Sequence, residues 1–301
     1  MSENGGRPIV LAGATGDLGG RVLSALVRRR VAVHALVRHT MPIAAQDALR
    51  ARGGIPVLVD FADIAAVTTA LAGAACVVST LNGLESVILD LQGRLLDAAV
   101  AANVPRFVPS DFSLDFTGTR PGDNRNMDLR RRFMARIDAA PIKATSILNG
   151  AFADLLTGEA PILLQRIHRV LYWGNPEQLF DFTTKDDVAD YTADVALDPA
   201  PPRFLRIAGD VVSPRDLATL MTRLDGRRWT PLRAGGLGRL SLLIRVARAL
   251  TPATDAPFPA WQGMQYLRDM SSGSGKLSPL DNSRYGKTDW TRADAVLTSA
   301  A

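Results

Sequence analysis

Short apolar runs alternate with amphipathic stretches through the first half of the chain. Ile9 to Ala12, Val31 to Val37, Ile55 to Val59, Ala75 to Thr80, Arg106 to Val108 and Ala144 to Leu148 have the length and β-branched content of buried strands. Between them, helical spacing relates Leu18, Val22, Leu26 and Val27, the segment from Asp63 to Leu71, and the apolar positions Val87, Leu91, Leu95 and Val100 within Leu84 to Asn103. Met127 to Asp138 reads as a further helix. Strands alternating with helices along most of this half predict an α/β fold built on a doubly wound parallel sheet.

Beyond Gly150 the alternation gives way to irregular pairs. His168 to Trp173, Gln178 to Phe182 and Arg203 to Ala208 read as short strands, and Lys185 to Leu197 as a helix capped by Thr183 or Thr184. Ser213-Pro214-Arg215-Asp216 places a cap, a first-turn proline and an acidic residue ahead of a helix running to Leu224. Leu237 to Leu250 is an apolar helix with three arginines, expected to pack over this half, with an interfacial membrane contact as the alternative. Phe258 to Met270, carrying Trp261, reads as a cover over a pocket, and Ser271 to Gly275 as a flexible break. The expected division is a nucleotide-binding domain over residues 1–150 and a smaller α+β substrate lobe over 151–301, some of which returns to the sheet.

Composition narrows the class. Hydrophobic residues make up 47% of the 301 and charged residues 22%, the balance of a soluble globular chain. A single cysteine and three histidines exclude a disulfide framework or a multi-ligand zinc site, so no metal is expected. Cys76, in an apolar stretch, reads as a buried thiol. No apolar run approaches the ~20 residues of a membrane span, and Met1 to Arg7 lacks the features of a secretion signal, so the expectation is a cytoplasmic protein with no membrane partner. The net charge of +5 is spread along the chain, with a run at Arg28 to Arg30 that complements a helix C-terminus. No basic motif interleaved with aromatics points to nucleic acid.

The candidate chemistry begins at Gly13-Ala14-Thr15-Gly16-Asp17-Leu18-Gly19-Gly20, between the first strand and the first helix. Glycines at 13, 16 and 19 allow a tight turn, close approach of a pyrophosphate and close helix packing, and the first-turn amides face the phosphates. Gly13, Thr15, Gly16, Asp17, Leu18 and Gly19 are therefore candidate cofactor contacts. Arg38-His39 end the second strand, where an acid would hold the ribose of NAD and an arginine accommodates the 2′-phosphate of NADP, so NADP(H) is expected. Asp60, followed by Phe61, can reach an adenine amino group or cap the next helix. Leu81-Asn82-Gly83 follow the fourth strand at the crevice of the sheet. Pro109-Ser110-Asp111 follow the fifth, where Ser110 and Asp111 serve the site or form a turn or cap.

Four segments and the C-terminal end resemble one family, the NmrA-like and isoflavone-reductase-like branch of the atypical short-chain dehydrogenases. They are GATGDLGG, RFVPSDF (Arg106 to Phe112), TSILNGAF (Thr145 to Phe152), FDFTTKDDVADYTADVALDP (Phe180 to Pro199) and RYGKTDWT (Arg284 to Thr291). The resemblance implies a Rossmann-type core, a small C-terminal substrate lobe, and NADP(H) held by the glycine loop and Arg38. It places the nicotinamide near Asn82, Ser110 and Asn149, and Gly150 and Phe152 are further candidate cofactor contacts. The tyrosine and lysine four residues apart that ordinary short-chain enzymes use are missing. The lysine that isoflavone-reductase-like enzymes carry on the helix after the fifth strand falls, by the family's spacing, on Arg130. Arginine keeps its charge at any accessible pH, so Arg130 can polarise a carbonyl, bind a carboxylate, hold the cofactor or pair with an acid, but cannot exchange a proton.

The expected function is NADPH-dependent reduction of a small, apolar or aromatic, carbonyl or conjugated substrate. Arg130, Ser110 and Asp111 are the candidate groups for proton and charge management. The alternative is a non-catalytic NADP(H)-binding redox sensor of the NmrA type, which loss of the family lysine favours. The partner expected in either case is a small molecule, and the sequence leaves monomer and dimer open.

Overall fold

A computed structural model of the chain describes residues 6–158, 162–252, 254 and 256–299. Most of the N-terminal stretch read above as lacking a signal lies outside them. The chain divides into two compact units, and both are discontinuous. The first comprises Met1–Asp111, Leu129–Ile147 and Val188–Leu205; the second comprises Phe112–Asp128, Leu148–Asp187 and Arg206–Ala301. Against a boundary at residue 150, the stretch after the fifth strand thus goes with the second unit, and most of the helix from Lys185 goes with the first.

In the first unit, β1 (Ile9–Ala12) is wholly buried and lies parallel between β2 (Val33–Arg38) and β4 (Cys76–Ser79). With β3 (Gly54–Val59), β5 (Arg106–Val108) and β6 (Lys143–Ala144) they form a six-stranded parallel sheet in the order β3-β2-β1-β4-β5-β6. This is the Rossmann order. The winding reverses between β1 and β4, and a ligand crevice opens at their carboxyl ends. β1 and β4, buried on both faces, read as continuous apolar runs, which is why the sequence shows them plainly. Val10, Ala12, Val77 and Phe107 of the sheet share a core with Ile88, Leu95 and Phe133 from the helical segments.

The helices of this unit include α1 (Asp17–Arg28), α2 (Ile43–Ala51), α3 (Ile64–Leu71) and α4 (Gln92–Ala101). Leu129 onward of α5 (Arg125–Asp138) and Val188 onward of α6 (Lys185–Leu197) also belong to it. Arg28 and Arg29 do more than complement the end of α1. Arg28 pairs with Asp190 at 2.7 Å, and Arg29 grips Asp194 with two nitrogens at 2.7 and 2.9 Å, fastening α1 to α6.

Three expectations change here. The sequence does not predict α2, whose N-cap, Pro42, offers no capping side chain. The long helix expected from Leu84 opens with a π-helical turn, Ser86–Leu91, before α4 begins. Such a turn shifts the phase of the helix face, and Gln92 behind it is fully buried. The sixth strand is split at Thr145, whose hydroxyl donates to the Pro202 carbonyl at 2.8 Å. Beyond it, β7 (Ser146–Leu148) pairs with β12 (Phe204–Arg206).

The second unit carries two small sheets. One orders β13 (Asp210–Val212), β11 (Phe180–Thr183) and β8 (Ala151–Phe152); the other orders β14 (Thr230–Gly235), β10 (Arg169–Trp173) and β9 (Leu163–Leu164). Ser213 and Asp216 form the expected capping box on α7 (Pro214–Asp225). Thr184 caps α6, its hydroxyl accepting the Asp187 amide at 3.2 Å. Leu240 and Ile244 of α8 (Leu237–Leu250) pack with Trp173 and with Met264 and Leu267 of α9 (Ala260–Ser272). The expected flexible break is ordered: α9 continues through Ser272, Gly273 ends it at φ +76°, and the Ser274 carbonyl lies 2.6 Å from where a Cβ on Gly118 would stand. The unit closes with α10 (Ala293–Ser299), which the sequence does not announce.

Candidate functional site

The loop after β1 is shaped by steric exclusion. Gly13 sits at φ +89°, and a Cβ there would meet the Thr80 hydroxyl at 2.6 Å. A Cβ on Gly19 would fall 2.0 Å from the Gly13 carbonyl oxygen and 2.6 Å from Thr80 Oγ1. Thr80 itself is anchored across the switch point, its hydroxyl and its amide each donating to the Ala12 carbonyl at 2.9 Å. The loop closes on itself where the Gly16 amide donates to Gly13 O at 3.0 Å. Gly16 is then the N-cap of α1 and supplies no side-chain acceptor, so the first-turn amides stay available to an anion. Thr15, Gly16 and Asp17 are exposed, Leu18 is half-buried, and Asp17 pairs with Arg21 at 2.8 Å.

Arg38 stands exposed at the end of β2. The adjoining His39 amide donates to the Val59 carbonyl at 2.8 Å, which fixes the two strand ends together. The alternatives left open for Asp60 separate here. It is Asp63 that caps α3, accepting the Ala65 and Ala66 amides at 2.9 and 3.0 Å, whereas Asp60 is exposed and its carboxylate accepts the Ala62 amide at 2.9 Å, outside the helix. Phe61 and Leu81 are partly buried against the core, and Asn82 is exposed. Gly83 is pressed on Val87, whose Cγ2 would lie 2.5 Å from an added Cβ.

At the end of β5, Pro109 and Ser110 are buried and the Ser110 amide donates to Gln92 Oε1 at 2.9 Å. The buried Gln92 placed by the π-helical turn therefore sets the backbone of the loop. Asp111 is fully buried. Its Oδ2 accepts the Ser146 hydroxyl at 2.6 Å, Ser146 Oγ accepts Arg203 Nη1 at 2.7 Å, and Arg203 Nε donates to Asp138 at 2.8 Å. Burial pushes the Asp111 carboxyl above the usual range, against the opposing pull of Ser146, Arg130 and Arg203. Arg130, 6% exposed, is close enough to act on that carboxyl electrostatically. All three candidate catalytic residues thus lie in or beside one buried network of the first unit. Sequence reasoning found neither Ser146 nor Arg203, nor Thr80 and Gln92. Nothing in a linear pattern marks partners 35 and 57 residues apart.

Asn149, Gly150 and Phe152 fall in the second unit. The Asn149 and Gly150 amides both donate to the Ser113 carbonyl, at 3.0 and 3.1 Å, and the Thr183 hydroxyl donates to Asn149 O at 2.7 Å. Gly150, at φ +68°, lies against Asp181, whose carbonyl oxygen would be 2.4 Å from a Cβ. Phe152 is half-buried with Lys185 Nζ 5.9 Å from its ring centroid, and Lys185 pairs with Asp154. Trp261, read as part of a cover, is buried, with the Arg125 and Arg248 guanidiniums 4.7 and 5.3 Å from its ring. Cys76 is fully buried and its thiol is pushed up to about 12 by burial, so it carries no thiolate at ordinary pH.

The NmrA-like family model matches residues 7–233, which span the whole sheet, the glycine loop, Arg130 and Asn149. The chain belongs to the NmrA-like family. Among curated relatives of this NmrA-like protein, the isoflavone reductase homolog IRL of Zea mays is 29% identical over 73% of this chain and 74% of its own length. Pinoresinol reductase 1 of Arabidopsis thaliana is 26% identical over 72% of this chain and 71% of its own. Among solved structures, AtPrR2 with NADP+ and (+)pinoresinol matches 98% of this chain and 99% of its own, with a TM-score of 0.82 at 20% identity. The binary complex of leucoanthocyanidin reductase with NADPH from Vitis vinifera matches 97% and 98%, with a TM-score of 0.75 at 20% identity. The fold of the NmrA-like chain is therefore that of these reductases over 97–98% of its length.

Proposed function

We propose that this protein binds NADP(H) through the glycine loop and Arg38 and reduces a small, apolar or aromatic, carbonyl or conjugated substrate. The observation that carries the reading is the steric cradle of Gly13, Gly19 and Thr80 beneath the uncapped start of α1, with Arg38 exposed at the next strand end. A loop in which two Cβ atoms cannot be accommodated, leading to a helix whose cap leaves the amides unused, fits a pyrophosphate. Arg38 fits a 2′-phosphate. The relatives named as reductases support the reaction class, and the complexes with NADP+ and NADPH among the structural neighbours support the cofactor.

NADPH supplies the hydride when bound. The chain's own residues supply charge and position: the permanently charged Arg130 stabilises negative charge on the substrate oxygen or holds a carboxylate. Asp111, whose carboxyl burial favours in the protonated form, serves as the proton reservoir, connected through Ser146 to Arg203. Ser110, held by Gln92, lies toward the nicotinamide, and Asn82, Leu81, Gly83 and Pro109 line its approach. Asp60, Phe61 and His39 lie toward the adenosine. The test is NADPH oxidation by the purified protein over a panel of aromatic aldehydes, ketones, quinones and enones. Turnover of at least one class supports the reading. If none is turned over while NADPH binds and NADP+ does not, the sensor reading that Arg130 favours takes its place.

A further inference from the structure

Charge is segregated along the sequence in a way the net value conceals. Residues 226–268 contain seven arginines and one acidic residue, Asp255, so this stretch alone exceeds the chain's net charge of +5 and the remainder is slightly acidic. The stretch lies wholly in the second unit and contains α8 and most of α9. Helix α8 holds three of the arginines, Arg239, Arg245 and Arg248, and no acid. All three are exposed, and among the described residues none donates to a carboxylate. A fourth, Arg125, shares the Trp261 ring with Arg248, and burial together with that neighbour lowers its pKa from the ordinary arginine value.

The same helix leaves apolar side chains in water. Leu240 and Ile244 face the core of the unit, but Leu242, Leu243, Val246 and Leu250 are exposed, Leu242 at 51% and Leu250 at 78%. At 3.6 residues per turn these four fall within an arc of about 100° on the side away from Leu240. Arg239 lies within that arc, and Arg245 about 60° outside it, beyond Leu242. Phe258, past the helix end, is 55% exposed as well. Exposed apolar side chains on a helix whose only charged side chains are arginines, one of them within the apolar arc, match the two layers of an anionic bilayer surface, acyl chains beneath and phosphates above. A second copy of the chain would bring arginine to arginine. A nucleic acid would leave the leucines without a partner.

We propose that the exposed face of α8 is a peripheral docking face for an anionic lipid surface. A chain in which no described helix is long and apolar enough to cross a membrane can still lie on one by such a face. The inference is independent of the reaction proposed above. The test is co-sedimentation of the full chain with vesicles of phosphatidylcholine alone and of an equimolar mixture with phosphatidylglycerol. The wild type is expected to sediment with the mixed vesicles only, and less so as salt is raised. Arg239→Gln/Arg245→Gln should weaken retention roughly 30-fold, the effect of two cations at headgroup level. Leu243→Gln/Val246→Gln/Leu250→Gln should weaken it roughly tenfold or more. Thermal melting checks that the variants fold, and Leu250→Gln alone, at the most exposed position, serves if the triple variant does not. Three results would overturn the proposal: no retention on mixed vesicles, equal retention on both vesicle types, or full retention of the leucine variants, which would mean that charge alone acts as it would toward an acidic polypeptide. Sedimentation velocity showing a dimer that the leucine variants dissociate would assign the face to a second copy instead.

Discussion

A guanidinium stays charged at every accessible pH, so Arg130 can hold negative charge but cannot hand over a proton. The proposed division of labour between Arg130 and Asp111 makes two predictions. Arg130→Gln should lower kcat about 100-fold or more, the scale of a lost charge-stabilising donor, with little change in NADPH affinity. Arg130→Lys should instead retain part of the activity and add a pH-dependent limb to the rate, because a buried lysine titrates. Asp111 gives a stability prediction whose sign is fixed. Its folded pKa lies above its unfolded value, so the folded state holds the proton more tightly, and this contribution is present at acid pH. It is lost as pH rises from the ordinary carboxylate range through the raised value. Denaturant melts of Asp111→Asn across that window should be flatter with pH than those of the wild type; parallel profiles would remove Asp111 from the account. Gly19 was legible as part of a spacing, but only the structure shows what excludes a side chain there, the Gly13 carbonyl at 2.0 Å. Gly19→Ala should therefore lose NADPH binding and about 1–3 kcal/mol of stability, whereas Gly16→Ala, with an ordinary 3.4 Å contact, should lose far less.

Helices and strands were legible where local chemistry determined them. β1 and β4 stand out because both faces are buried, and α7 because Ser213 and Asp216 cap it reciprocally. α2 was not legible, since Pro42 gives no capping signal, and neither were the π-helical turn before Gln92 and the break at Thr145, because tertiary partners decide both. Asp60 and Asp63 show the limit at its smallest scale: both precede α3, and only hydrogen-bond geometry tells the cap from its neighbour. Asp63→Ala should cost about 1 kcal/mol of stability, read from the urea midpoint, while Asp60→Ala should cost markedly less. Equal losses would mean that α3 starts elsewhere.

At the scale of the whole molecule, the sequence conveyed the α/β class and the nucleotide end of the sheet but not how the chain is apportioned. The first unit takes back Val188–Leu205 after the chain has entered the second, and through it gains Arg203, the residue that completes the Asp111 network. No boundary drawn along the sequence could include it. Charge was legible as a total and not as a distribution, since residues 226–268 concentrate what the composition averages. The central claim nevertheless rests on the nucleotide cradle, and calorimetric titration of the wild type and Arg38→Ala with NADPH and NADH tests it most directly. The account predicts that the wild type binds NADPH well above NADH, and that the variant loses about 1.5–3 kcal/mol toward NADPH with little change toward NADH, as for a lost charge-assisted contact. Failure of the wild type to bind either nucleotide, or an Arg38→Ala variant indistinguishable from it, would contradict the account.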